Sequence, residues 1–145
     1  MGHTTEASGN FSNACGHLNK ATGESAHAEG RETIASGTDS HTEGYATNAS
    51  GEYSHAEGYK AWAQDEGAHA EGYETVAAGP HSHAEGYFTY TKNEYAHAEG
   101  NGTSAEGMQS HAEGAATYAM GSQSHAEGWG SKALVKGAHA EGNES

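Results

Sequence analysis

Ser54-His55-Ala56-Glu57-Gly58 is the stretch whose recurrence decides the fold, because its last four residues return every 14 positions without an insertion. The quartet His-Ala-Glu-Gly begins at His27, His55, His69, His83, His97, His111, His125 and His139, and the variant His41-Thr42-Glu43-Gly44 keeps the same spacing. Its terminal glycine carries the register back through Gly16 to Gly2. A fixed period with no slippage is the pattern of a solenoid, in which each repeat packs only on its neighbours. All 145 residues therefore read as one repeat domain, 1–145.

Seven residues after most of these glycines stands another: Gly9, Gly23, Gly37, Gly51, Gly79, Gly107 and Gly121, with Asp65, Asn93 and Val135 in the remaining coils. Glycine, asparagine and aspartate tolerate left-handed backbone best, so this half-period predicts a turn with positive φ. Val135 does not fit, and the nearby Gly137 suggests a rearranged last turn.

Short alternating segments lie between the glycines. Residues two apart share a strand face, so Ser54 and Ala56 oppose His55 and Glu57, and Thr33 and Ala35 oppose Ile34 and Ser36. Two strands of roughly five residues and two tight turns fill such a coil, leaving room only for small side chains between the sheets. Serine, alanine and threonine are expected inside, and histidine and glutamate outside, since the opposite parity would bury a polar pair in every coil. The Thr register, Thr33, Thr47, Thr75, Thr89, Thr103 and Thr117, also points inward. About ten coils at the spacing of adjacent strands make a rod of roughly 50 Å.

Low hydrophobicity and abundant glycine alone would suggest disorder, but the strict register argues for a built structure. An Ala/Ser/Thr interior buries little apolar surface, and Trp62, Val76, Tyr90 and Tyr118 stay on the outside, so association of several chains is expected. Proline occurs only at Pro80, which excludes a collagen helix. The formal charge of −14 and the scattered Lys20, Arg31, Lys60, Lys92, Lys132 and Lys136 argue against nucleic acid and anionic membranes. No apolar stretch is long enough for membrane insertion. The chain reads as no enzyme: histidine and glutamate recur as a structural unit, with no unique nucleophile and base, no phosphate loop and no HExxH helix.

The pattern Ser-x-Ala-x-Gly-x-x-Thr/Ser-x-Ala-x-Gly resembles the head repeat of trimeric autotransporter adhesins, found also in bacteriophage tail fibres, over essentially the whole chain from Gly2 to Ser145. The resemblance implies an all-β, left-handed parallel β-roll (a β-solenoid), three chains around one axis as a homotrimer, and a role in attachment to a cell-surface glycan or protein receptor. Its implied location is extracellular, on a cell surface or a virion fibre. In that family the positions of His55 and Glu57 are often aliphatic and face neighbouring subunits; here they are polar, so a simple hydrophobic trimer interface does not follow.

Met1-Gly2-His3 leads straight into the repeat with no visible secretion signal, and the pattern stops at Asn143-Glu144-Ser145. These ends suggest a segment of a longer fibre, with a phage-type or standalone fibre slightly favoured, or a filament whose units join end to end without receptor binding.

Chemistry concentrates in one ladder, in which His27 precedes Glu29, His41 Glu43, His55 Glu57, His69 Glu71, His83 Glu85, His97 Glu99, His111 Glu113, His125 Glu127 and His139 Glu141. It reads first as a structural hydrogen-bond network setting register and trimer state. Alternatives are a metal column, with His55, His69, His83 and His97 as candidate ligands for a divalent ion, and a solvated charged face. Apart from such an ion no cofactor is implied. A metal-stabilised fibre is thus a further alternative, and an ice-binding solenoid a minor one, disfavoured by the inward Thr register. Protonating all 12 histidines would bring the formal charge from −14 to about −2, and His⁺ beside Glu⁻ predicts an assembled fibre tolerant of mild acid.

A second ladder, Tyr45, Tyr59, Tyr73 and Tyr87 with Trp129 later, follows the repeat glycine. It reads as a stack protecting a corner or as a binding platform for sugar rings, which Tyr53, Phe88, Tyr95 and Trp62 would widen. Cys15, the only cysteine, takes the register of Glu29, and small apolar packing is its simplest role.

Overall fold

In the computed structural model, residues 4–145 are described, and they coil into two parallel sheets of ten strands each. Gly2, the first glycine of the period, lies outside the described residues. Most strands of one sheet are five residues long, from Asn13–His17 and His27–Arg31 through His125–Trp129, with His139–Ala140 at its edge. The other holds two-residue strands from Glu6–Ala7 and Lys20–Ala21 to Lys132–Ala133. The expected pair of five-residue strands is thus corrected: one half of each coil is extended and the other is mostly corner. Pairing is in register at 14 residues, so His69 lies between His55 and His83, and Glu71 between Glu57 and Glu85.

The parity is as expected. Ala56, Ala63, Ala70, Ala77 and Ala84 are fully enclosed, with Ser40, Ser54, Ser82, Thr33, Thr47, Thr75 and Thr89 beside them. Serine fits because its hydroxyl finds a backbone acceptor within the coil: Ser54 Oγ donates to Gly51 O at 2.6 Å and Ser82 Oγ to Gly79 O at 2.7 Å. Asn19 replaces threonine in the second full coil and stays buried because it is satisfied, donating from Nδ2 to Gly30 O at 2.9 Å and accepting from Thr33 N at 3.0 Å. An alanine methyl contributes only about 0.8 kcal/mol when buried, so the backbone ladder between coils carries much of the cohesion.

The corners revise the role of the half-period glycines. None of Gly9, Gly23, Gly37, Gly51, Gly79, Gly107 and Gly121, nor Asp65, Asn93 and Val135, has positive φ. Glycine prevails there because the next coil's backbone passes too close: a Cβ on Gly37 would overlap the carbonyl of Gly51. The left-handed corner comes two residues later, at Phe11, Ser25, Asp39, Tyr53, Gly67, His81, Tyr95, Gln109, Gln123 and Gly137. Gly137 therefore occupies an ordinary corner, and the last turn is not rearranged: Ala138 N donates to Val135 O at 3.0 Å as Ala68 N does to Asp65 O at 3.1 Å. A second left-handed corner follows the repeat glycine, at positions such as Ala46, Lys60, Glu74 and Phe88.

Candidate functional site

The outward face of the long-strand sheet carries the ladder. Each Glu sits two residues after its His, so the pair stands side by side on one face. The imidazoles stack from His41 to His139, with centroids 4.6 Å apart for His69–His83 and 4.9 Å for His83–His97 and interplanar angles of 8° and 1°. His27 meets His41 edge-on instead. Stacking half-buries each ring, and the Nε2 atoms of His41, His55, His69, His83, His97, His111 and His125 are inaccessible and lack a hydrogen-bond partner. The neighbouring carboxylate stands just too far away: the distance from Nε2 to Oε2 is 3.6 Å between His55 and Glu57, 3.5 Å between His69 and Glu71, and 3.8 Å between His111 and Glu113. Only His27 closes on its glutamate, at 3.2 Å.

Burial pushes the pKa of His41, His55, His69, His83 and His111 below the ordinary histidine value. Repulsion from the neighbouring imidazoles adds to this, and the glutamates oppose it without overcoming it. In the single chain the direction is opposite to that expected from His⁺ beside Glu⁻: desolvation of a stacked ring outweighs a carboxylate at 3.5 Å or more. The lowered values keep the imidazoles of His41, His55, His69, His83 and His111 neutral at neutral pH.

Ligand atoms gather within 4.8 Å of one another in two groups of two imidazoles and a carboxylate, one formed by His69, Glu71 and His83 and the other by His111, Glu113 and His125. Three further groups, at Cys15, His27 and Glu29, at Glu85, His97 and Glu99, and at Glu127, His139 and Glu141, are poorer, with a single imidazole each. Of the candidate metal ligands, His69, His83 and His97 enter such groups and His55 does not. The sequence did not show that pairs of coils, rather than every rung, bring donors together. Cys15 pairs with Glu29 in register, is exposed, and places Sγ 3.9 Å from Glu29 Oε2.

The tyrosine ladder stacks as a separate unit at the end of the same strands. Tyr45, Tyr59, Tyr73 and Tyr87 follow at 5.2, 4.7 and 4.9 Å, with Arg31 above Tyr45 at 5.4 Å. Phe88, at a left-handed corner, extends it, edge-on to Tyr87 at 4.5 Å. Trp129 shares the register but is separated from the stack by Asn101 and Ala115. Tyr53 and Tyr95 sit at the opposite corner, and Trp62 on the short-strand sheet. No family model matches the chain, and no curated protein matches it.

Proposed function

We propose that the chain is a segment of a structural and adhesive fibre: a left-handed β-roll that associates as a trimer through its His/Glu face and displays its remaining surface for attachment to a cell-surface glycan or protein. The difference between its two outward faces carries the proposal. The long-strand face repeats His and Glu in every coil from His27 to Glu141, whereas the short-strand face presents Lys20, Ile34, Asn48, Trp62, Val76, Tyr90, Ser104, Tyr118 and Lys132. A uniform, half-buried face suits contact with identical neighbours at every level of a rod, since a symmetric interface must complement itself. A varied face rich in exposed aromatics, such as Trp62 and Tyr118, suits recognition of something else. The head-repeat resemblance supports the same assignment and an extracellular or virion setting. The corner stack from Tyr45 to Tyr87 turns its ring edges outward, and the exposed Trp129, in the same register but outside the stack, offers a ring to a sugar.

The test is the solution mass by light scattering, with and without a chelator. Discrete trimers in both conditions support the proposal. A monomer overturns it, and polymers of open-ended length put an end-to-end filament in its place.

A further inference from the structure

The distances along the ladder fit something other than a hydrogen bond. His69 Nε2 and Glu71 Oε2 are 3.5 Å apart, and His111 Nε2 and Glu113 Oε2 are 3.8 Å apart. Two donors bound to one tetrahedral metal at about 2.0–2.1 Å stand roughly 3.3–3.4 Å from each other. The pair is thus too open to share a proton well and close to the span of two ligands on one ion. The next coil supplies a third donor: His83 and His125 lie within 4.8 Å of the other two atoms of their groups. The rings, nearly parallel at 4.6 Å and 4.9 Å, must turn toward each other for both Nε2 lone pairs to converge on one ion.

We propose that this face binds a borderline divalent transition metal of the zinc class at two sites per chain. The ligands of one site are the Nε2 atoms of His69 and His83 with a carboxylate oxygen of Glu71; those of the other are the Nε2 atoms of His111 and His125 with a carboxylate oxygen of Glu113. The fourth position of each ion belongs to water or to an associated chain. All four imidazole Nε2 atoms are inaccessible and unpartnered within the chain, so coordination satisfies groups that otherwise stay orphaned in a half-dry environment.

Charge spacing favours two ions rather than one per rung. The two sites start three coils apart, about 14 Å at the usual strand separation and beyond the Debye length in physiological salt. Glu85 and Glu99 lie in the file between them and offset the repulsion. The intervening group of Glu85, His97 and Glu99, with one imidazole, is the weaker set for this class of metal. The proposal goes beyond the fibre reading, because all three protein ligands of each site come from one chain.

The full chain, stripped with chelator, is titrated with zinc by calorimetry, and cobalt(II) absorption reports the coordination. The expected result is two zinc ions per chain at micromolar concentration or tighter, visible cobalt bands of low coordination number, and calcium at least tenfold weaker. Glu71→Gln is expected to remove one ion, and Glu71→Gln with Glu113→Gln both, at unchanged circular dichroism. His83→Gln also removes one, which secures the assignment if a carboxylate variant folds poorly. No zinc uptake, calcium as tight as zinc, or a stoichiometry indifferent to these variants overturns the proposal. A trimer that forms in chelator and takes no zinc refutes the metal while leaving the fibre reading intact; a zinc-binding monomer does the reverse.

Discussion

Replacing Gly58 by alanine tests whether contact between coils, more than turn conformation, dictates the repeat glycine. Gly58 has φ +106°, and a Cβ there would overlap the carbonyl oxygen of Gly72 and come 3.0 Å from its nitrogen. Relieving the overlap needs the two coils to part locally by about 1 Å. The bonds flanking that contact, His55 N to Ala68 O at 2.9 Å and Glu74 N to Tyr59 O at 2.8 Å, would then stretch beyond hydrogen-bonding range. Two or three lost ladder bonds at about 1 kcal/mol each, with about 1–2 kcal/mol of backbone strain, predict a loss of about 3–5 kcal/mol. Gly102 is the control: its φ is +67°, and a Cβ there meets nothing within 4 Å. Gly102→Ala should therefore cost only the strain, about 1–2 kcal/mol. Urea denaturation followed by circular dichroism at 218 nm, roughly the β-sheet minimum, compares the two at fixed protein concentration. Equal losses, or a larger loss for Gly102→Ala, would refute the reasoning.

Ala84 is fully enclosed, and Ala84→Leu overfills a layer sized for methyl groups; a loss of about 1–3 kcal/mol or more in the same denaturation assay is expected. Ala46 and Ala116 hold left-handed corners at φ 54°, so Ala46→Gly or Ala116→Gly should stabilise by about 0.5–1 kcal/mol, read as a higher denaturation midpoint. Acid should weaken the single chain. Above the ordinary histidine value of 6.5 both states are neutral and stability is full; as pH falls through it, the unfolded chain takes up protons that the stacked rings of His41, His55, His69, His83 and His111 resist. Thermal midpoints that decline from pH 7.5 to pH 5.5, and less so in His55→Gln with His69→Gln, would agree; a rise would show glutamate attraction winning.

The period, the parity and the coil count were legible because each rests on a rule of local geometry repeated many times. Alternation puts Ala56 and Ser54 on the face opposite His55 whatever the rest of the chain does. What escaped depends on distances between coils. The glycines at Gly37 and Gly51 look like turn residues by type, yet their constraint is the carbonyl of the next coil, 14 residues away in sequence. The true left-handed corners carry Phe11, Tyr53, Lys60 and Glu74, residues that announce no such conformation, so nothing in their identity marked them. The ladder residues were visible as a file, but the failure of Nε2 to reach its glutamate, and the consequent dominance of burial over attraction, arises from ring stacking at about the strand spacing, which composition does not encode.

The glutamate file poses the sharpest energetic question. Glu57, Glu71, Glu85 and Glu99 are in register on adjacent strands, roughly 4.8 Å apart along the rod. Like charges at that distance repel by about 1 kcal/mol even in a medium as polar as water, and more where stacked rings displace solvent. Neutral histidines do not cancel that term. An isolated chain would be better served by glutamine, which keeps the shape and removes the repulsion. The carboxylates make sense if something positive or hydrogen-donating meets them, either a divalent ion between coils or a neighbouring chain. Converting Glu57, Glu71, Glu85 and Glu99 together to glutamine should therefore have opposite effects on two measurements. The monomeric, metal-free chain should become more stable at low salt by about 1 kcal/mol or more, with the gain fading as salt is added. Zinc uptake at the site of His69, Glu71 and His83 should be lost and self-association weakened in the same protein. A variant destabilised at low salt in the absence of metal and of association would mean that the carboxylates stabilise the coil by themselves, and that the file needs no partner to explain it.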